Sequence, residues 1–303
     1  MRYAIVGTGA IGGYYGGMLS RAGHDVSFLL RSDYEYVRVH GLHIKSCNGD
    51  FTLPRVKAFR STADIGPVDV VLVCIKTTGN HQLATLLPPL LHKDTLILLI
   101  QNGIGPEPDL QAIFPSANIA AGLAFICSAH ESAGVINHQA YGHINIGNYS
   151  CTDSTLISNV IDDMCDAGIK AVSVDYKEAR WKKAVWNMPF NGMTVALDTT
   201  TDRLLACRST RSLIREMMLE VVGAARALGI DSLDETFADK MIADTIAMPP
   251  YLPSMKLDFD NRRPMEIDYL YTRPIAEARK AGFDMPRLAM LEAQLRFLQS
   301  QHT

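Results

Sequence analysis

The sequence predicts an α/β protein: an N-terminal Rossmann-type doubly wound sheet followed by an all-helical C-terminal domain. Three observations carry this expectation. Short apolar runs alternate with helical stretches through the first half, as strand–helix–strand units require. A G-x-G-x-x-G turn stands between the first such run and a helix. Beyond about Tyr176 the alternation stops, and apolar residues recur at spacings of three and four.

The candidate strands are Tyr3–Val6, Asp25–Leu30, Val68–Ile75, Thr95–Ile100 and Ile119–Phe125, followed by a hairpin-like segment around Val135–Ile146. Several are apolar throughout, the pattern of parallel strands covered on both faces. In "SLIREMMLEVVGAARALG", Leu213, Met217, Val221, Ala224 and Leu228 form a helical stripe, with Gly229 as its stop. "IDYLYTRPIAEARKAG" and "RLAMLEAQLRFLQS" read as further helices. A chain of 303 residues is long for one core, so we expect residues 1–175 to bind a dinucleotide and residues 176–303 to bind substrate.

Composition narrows the function. A formal charge of −3 with scattered Lys and Arg argues against a nucleic-acid partner. No apolar run reaches the ~18 residues of a membrane span. Met1 and Arg2 lead straight into a strand and a glycine turn, which does not read as a signal peptide. The six cysteines show no C-x-x-C spacing and suggest reduced thiols in a cytoplasmic protein. The nine histidines form no ligand pattern, and no metal is expected. A homodimer through the helical half is compatible with the sequence, which does not determine the oligomeric state.

Gly7, Thr8, Gly9, Ala10, Ile11 and Gly12 are the candidate cofactor turn. Gly7 permits the tight turn, Gly9 lets backbone approach a pyrophosphate, and Gly12 lets helix and strand pack closely. The helix N-terminus then offers free N–H groups and a partial positive charge. In an NAD site an acid about 20 residues further on bonds the ribose 2′-hydroxyl. Here that place holds Arg31, whose guanidinium suits a 2′-phosphate by charge and fork geometry. NADP(H) is therefore favoured over NAD(H), although Asp33 two residues on could still reach a ribose.

"EARWKKAVWNMPFNGMTVAL" carries Lys183, Asn187 and Asn191 at i, i+4 and i+8 on one face of an otherwise apolar helix. A polar ligand would satisfy a buried ammonium and buried amides; a solvated face is the alternative. Pro189 falls inside this helix, where a clash with the Val185 carbonyl is expected to kink it.

These residues resemble the ketopantoate reductase family along nearly the whole chain. "GTGAIGG" with Arg31 is similar to its NADP fingerprint, and "VCIKTTGN" to its strand-end lysine motif, which implies that Lys76 lies by the cofactor. "LLIQNGIG" resembles its Asn-Gly motif and implies that Asn102 contacts both nicotinamide and substrate. "WKKAVWNMPFN" matches its catalytic helix, implying Lys183 as general acid and Asn187 and Asn191 as substrate contacts. "SMKLDFDNRRPMEIDYL" is similar to its late signature, implying Ser254 at the substrate and Glu266 at the lysine or the cofactor ribose. The family's "N-x-S-S-M" is "YLPSM" here, with Tyr251 and Pro253 in place of polar residues. "ALDTTTDRL" also lacks an asparagine found there in some members.

The resemblance implies hydride transfer from NADPH to the keto carbon of 2-dehydropantoate, with Lys183 protonating the developing alkoxide. A paralogue reducing another 2-oxo acid would carry the same motifs. A non-catalytic NADP-binding sensor would have less need of so many polar groups.

Overall fold

Alternation inside the first strands decides the architecture. Tyr3, Ile5, Val70, Leu72, Leu96 and Leu98 enter one apolar cluster, while their neighbours Ala4, Val6, Val71, Val73, Ile97 and Leu99 enter another. Successive side chains of a strand point to opposite faces, so strands apolar throughout need cover on both. The structure, a computed structural model, describes residues 1–301.

Ten strands form one sheet: β1 Arg2–Val6, β2 Asp25–Leu29, β3 Leu42–Ser46, β4 Phe51–Leu53, β5 Lys57–Phe59, β6 Val70–Val73, β7 Leu96–Leu99, β8 Asn118–Ser132, β9 Val135–Asn148 and β10 Ala171–Val174. Its order is β4-β3-β9-β8-β7-β6-β1-β2-β5, with β10 paired to β9. From β5 to β8 every pairing is parallel. Counted in chain order, that half reads 3-2-1-4-5-6, the doubly wound plan with its switch point between β1 and β6. The expected hairpin is the antiparallel β8–β9 pair.

Four strands went unread in the sequence: β3, β4, β5 and β10. Each is five residues or fewer, and β3 (LHIKS) and β10 (AVSV) mix polar with apolar residues. Pairing to β9, β2 or, for β4, to β3, rather than local pattern, makes them strands.

The chain divides into two compact units, Met1–Gln101 with Pro106–Tyr176, and Asn102–Gly105 with Lys177–Thr303. The second is helical, with Trp181, Val185, Phe190, Met217, Val221 and Leu291 among its buried core. Of the expected stripe, Leu213, Met217, Val221 and Ala224 lie on the helix Arg208–Ala227, Leu228 caps it, and Gly229 follows with φ +83°. The helix Tyr176–Ala196 continues through Pro189 as one element of 21 residues. Among the described residues no helix is long and apolar enough to cross a membrane.

Candidate active site

The glycine turn follows β1 at its carboxyl end and opens the helix Ala10–Arg21. Gly7 has φ +101°, and a Cβ there would come 2.6 Å from the Ile75 nitrogen. At Gly12 an added Cβ would meet the Gly7 carbonyl oxygen at 2.2 Å. At Gly9 it would meet nothing within 4 Å, so the space over the turn is open. A turn closed beneath and open above, at a helix N-terminus, fits a pyrophosphate. The Thr8 hydroxyl donates to the Leu29 carbonyl at 2.9 Å, tying the turn to the end of β2.

Arg31 lies two residues past β2 and is exposed. Asp33 is buried instead and accepts from Nε2 of His130 at 2.5 Å, the Ser32 hydroxyl at 2.9 Å and the Gly134 N–H at 3.1 Å. Burial pushes its carboxyl pKa up, but these donors prevail and hold it below the usual range. Its partners leave little of Asp33 for a ribose. Lys76 is exposed, just beyond β6, where it opens the turn Thr77–Gln82. His138 is also committed: its Nε2 faces the Tyr141 carbonyl at 3.2 Å and so carries the proton. Its Nδ1 therefore accepts from the Ser46 hydroxyl at 2.8 Å.

The second unit gathers the rest. Arg180, Lys183 and Asn187, on successive turns of one helix, line a narrow recess with Gly103, Ile104 and Tyr269. Arg180 is buried, 3% exposed, and Lys183 half-buried. Burial first, and then the like charge of Arg180, bring the Lys183 ammonium down to about 7 against the opposing pull of Glu266. Glu266 is itself buried. An amine titrating there can hold a proton at neutral pH and release it readily.

Asn191 lies further along the helix and does not line the recess. Its Nδ2 donates to the Asn187 carbonyl at 2.9 Å, and its Oδ1 accepts from the Met255 N–H at 3.2 Å. The amide therefore holds the start of the helix Ser254–Asp260, whose first residue is the half-buried Ser254. Asn102 precedes Gly103, which has φ +90° and would place a Cβ 2.4 Å from the Tyr269 carbonyl oxygen. Tyr269 belongs to a π-helical turn, Asp268–Thr272, that begins two residues after Glu266. Such turns are frequent at functional sites.

Sequence reasoning missed Arg180 and this turn. Arg180 stands three residues before Lys183 on the same stripe, a signal that was legible. The π turn has no local signature in "EIDYLYT".

A doubly wound sheet with an open glycine turn, and a helical unit presenting a lysine of lowered pKa, define a dinucleotide-dependent oxidoreductase. Residues 3–150 match the family "Ketopantoate reductase PanE/ApbA" and residues 175–299 its C-terminal counterpart. The chain belongs to the ketopantoate reductase family. It is similar to a 2-dehydropantoate 2-reductase of Nostoc sp., with 42% identity covering 99% of this chain and 96% of that one. It is also similar to the crystal structure of 2-dehydropantoate 2-reductase from Geobacter metallireducens, at 41% identity, TM-score 0.95 and full coverage of both chains. The structure of a D-mandelate dehydrogenase with NADH matches at 25% identity and TM-score 0.83, covering 99% of each chain. The protein is thus an oxidoreductase.

Proposed function

We propose that the protein reduces 2-dehydropantoate to pantoate, a step of pantothenate biosynthesis, with NADPH as the hydride donor and Lys183 as the general acid. The observation that carries this reading is the Lys183 environment, a half-buried ammonium brought to about 7 beside Arg180 and Glu266. The relatives from Nostoc and Geobacter named as 2-dehydropantoate 2-reductases support the substrate. The exposed Arg31, with Asp33 held by His130, supports NADPH over NADH.

Bound cofactor supplies the hydride. The glycine turn Gly7–Gly12 and the Ala10 helix N-terminus hold its pyrophosphate, and Arg31 holds the 2′-phosphate. The Lys183 ammonium draws electron density onto the keto oxygen and then gives it a proton from Nζ. Asn187 and Asn102 donate amide hydrogens that orient the substrate, and Ser254 supplies a hydroxyl. Asn191 sets where Ser254 stands. Glu266 keeps the Lys183 proton in place until transfer.

A second reading, reduction of a different 2-oxo acid, is favoured by "YLPSM" and by the D-mandelate dehydrogenase relative. Tyr251 packs toward Trp186, with 6.3 Å between ring centroids, and its carbonyl accepts from the Thr201 N–H at 3.2 Å. The change is thus absorbed by packing among helices, which leaves 2-dehydropantoate ahead.

The test is oxidation of NADPH and NADH with 2-dehydropantoate and a panel of other 2-oxo acids. Fast NADPH-dependent turnover of 2-dehydropantoate is expected. Turnover of another acid alone moves the substrate assignment, and tight NADPH binding with no turnover on any acid removes the catalytic reading.

A further inference from the structure

β5 runs parallel to β2, with Leu29 opposite Phe59 and the Leu30 N–H donating to the Phe59 carbonyl at 2.9 Å. The chain therefore leaves the carboxyl ends of two neighbouring strands carrying Arg31 on one and Arg60 on the other. The Thr8–Leu29 hydrogen bond holds the glycine turn at this same edge. Ligands of doubly wound sheets bind outside the carboxyl ends of the strands.

Arg60 is not a loose surface side chain. Its Nη2 lies 2.7 Å from Oε1 of Glu35, and its guanidinium carbon stands 4.7 Å from the centroid of the Tyr34 ring. Tyr34 and Glu35 open the helix Tyr34–His40, only three and four residues beyond Arg31. The side chains of Arg60 and Glu35 are 60% and 64% exposed, so a ligand can reach the pair from solvent.

We propose that Arg60 is a second cation of the site for the cofactor 2′-phosphate, and that Glu35 tunes its strength by competing for the same guanidinium. This rests on the NADPH reading above. A phosphate dianion beside Arg31 offers Arg60 acceptors that a single carboxylate cannot match, and a guanidinium can take two oxygens in parallel. Cofactors lacking the 2′-phosphate leave Arg60 on Glu35, so the pair sharpens discrimination between the two dinucleotides. Tyr34 supports the guanidinium from one side and limits the freedom it loses on binding.

Calorimetric titration of the cofactor-free protein with 2′,5′-ADP and with 5′-ADP reads the phosphate site without turnover. Arg60→Gln should weaken 2′,5′-ADP about tenfold, the order of one charge-assisted hydrogen bond, and leave 5′-ADP unchanged. Glu35→Gln should tighten 2′,5′-ADP roughly threefold by removing the competitor. Both positions are exposed, so the variants should fold, and circular dichroism checks that they do. Unchanged 2′,5′-ADP affinity in Arg60→Gln overturns the proposal, and unchanged or weaker affinity in Glu35→Gln overturns the part given to Glu35. Equal affinity of the wild-type protein for the two nucleotides would instead remove the NADPH reading itself.

Discussion

The Ile104 N–H donates to the Tyr269 carbonyl at 2.9 Å, and Gly103 beside it lies too close to that carbonyl for any side chain. A turn bearing one proposed substrate contact, Asn102, is thereby fastened to the π turn that follows Glu266. Gly103→Ala must adopt φ +90° and also push a methyl into backbone. We expect it to lose about 1–3 kcal/mol of stability. Turnover should also fall as Asn102 shifts. Urea unfolding with steady-state kinetics checks both, and a variant of wild-type stability would show that the contact is not tight.

Lys183→Ala should lower kcat by about two to four orders of magnitude, the usual worth of a positioned acid. NADPH affinity, measured by fluorescence quenching, should change little. Near-normal turnover would remove lysine from the mechanism.

The acid must be protonated to act, so reduction should fade as pH rises through the Lys183 value of about 7 in the free enzyme. Arg180 pushes that value down and Glu266 pulls it up. In profiles of kcat/KM against pH, Arg180→Gln should move the alkaline limb to higher pH. Glu266→Gln should move it to lower pH. Shifts in the same direction would show that neither charge acts through the lysine.

Asn191→Ala strips the buried Met255 N–H of its acceptor and frees the Ser254 helix start. A cost of about 1–3 kcal/mol in stability is expected, as for any buried donor left unpaired. With it should come a raised KM for the 2-oxo acid. A large loss of kcat with unchanged stability would instead place this amide on the substrate.

Asp33→Ala separates structure from cofactor reading. The folded carboxyl titrates below its unfolded value, so its contribution is present above about pH 4 and is lost as pH falls through the folded value. The variant should be less stable at neutral pH, with the gap from wild type closing in acid. Its NADPH-to-NADH preference should stay as it was. Arg31→Ala should do the reverse, weakening NADPH far more than NADH, as paired dissociation constants would show.

The glycine turn before the first helix and the polar stripe of the lysine helix were both legible in the sequence. Gly7, Gly9 and Gly12 answer to sterics within a few residues of chain. Lys183 and Asn187 share a face because of helical geometry alone. The all-apolar runs announced a sheet covered on both sides, and the helical spacing after Tyr176 announced the second unit. Each of these signals has a period, and a period can be read without a partner.

What tertiary structure alone decided are the partners. The aspartate that could have read a ribose is taken by His130, 97 residues away. The family resemblance implied a substrate contact for Asn191, and the fold gives its amide oxygen a partner in the Met255 N–H, 64 residues distant. The short strands β3 and β10 exist because β9 offers them an edge. Likewise, the pKa of Lys183 depends on burial and on the charge of Glu266, which no spacing along its own helix encodes. Local sequence sets backbone geometry and periodicity, whereas charge state and hydrogen-bond commitment follow from which distant groups exclude water from which.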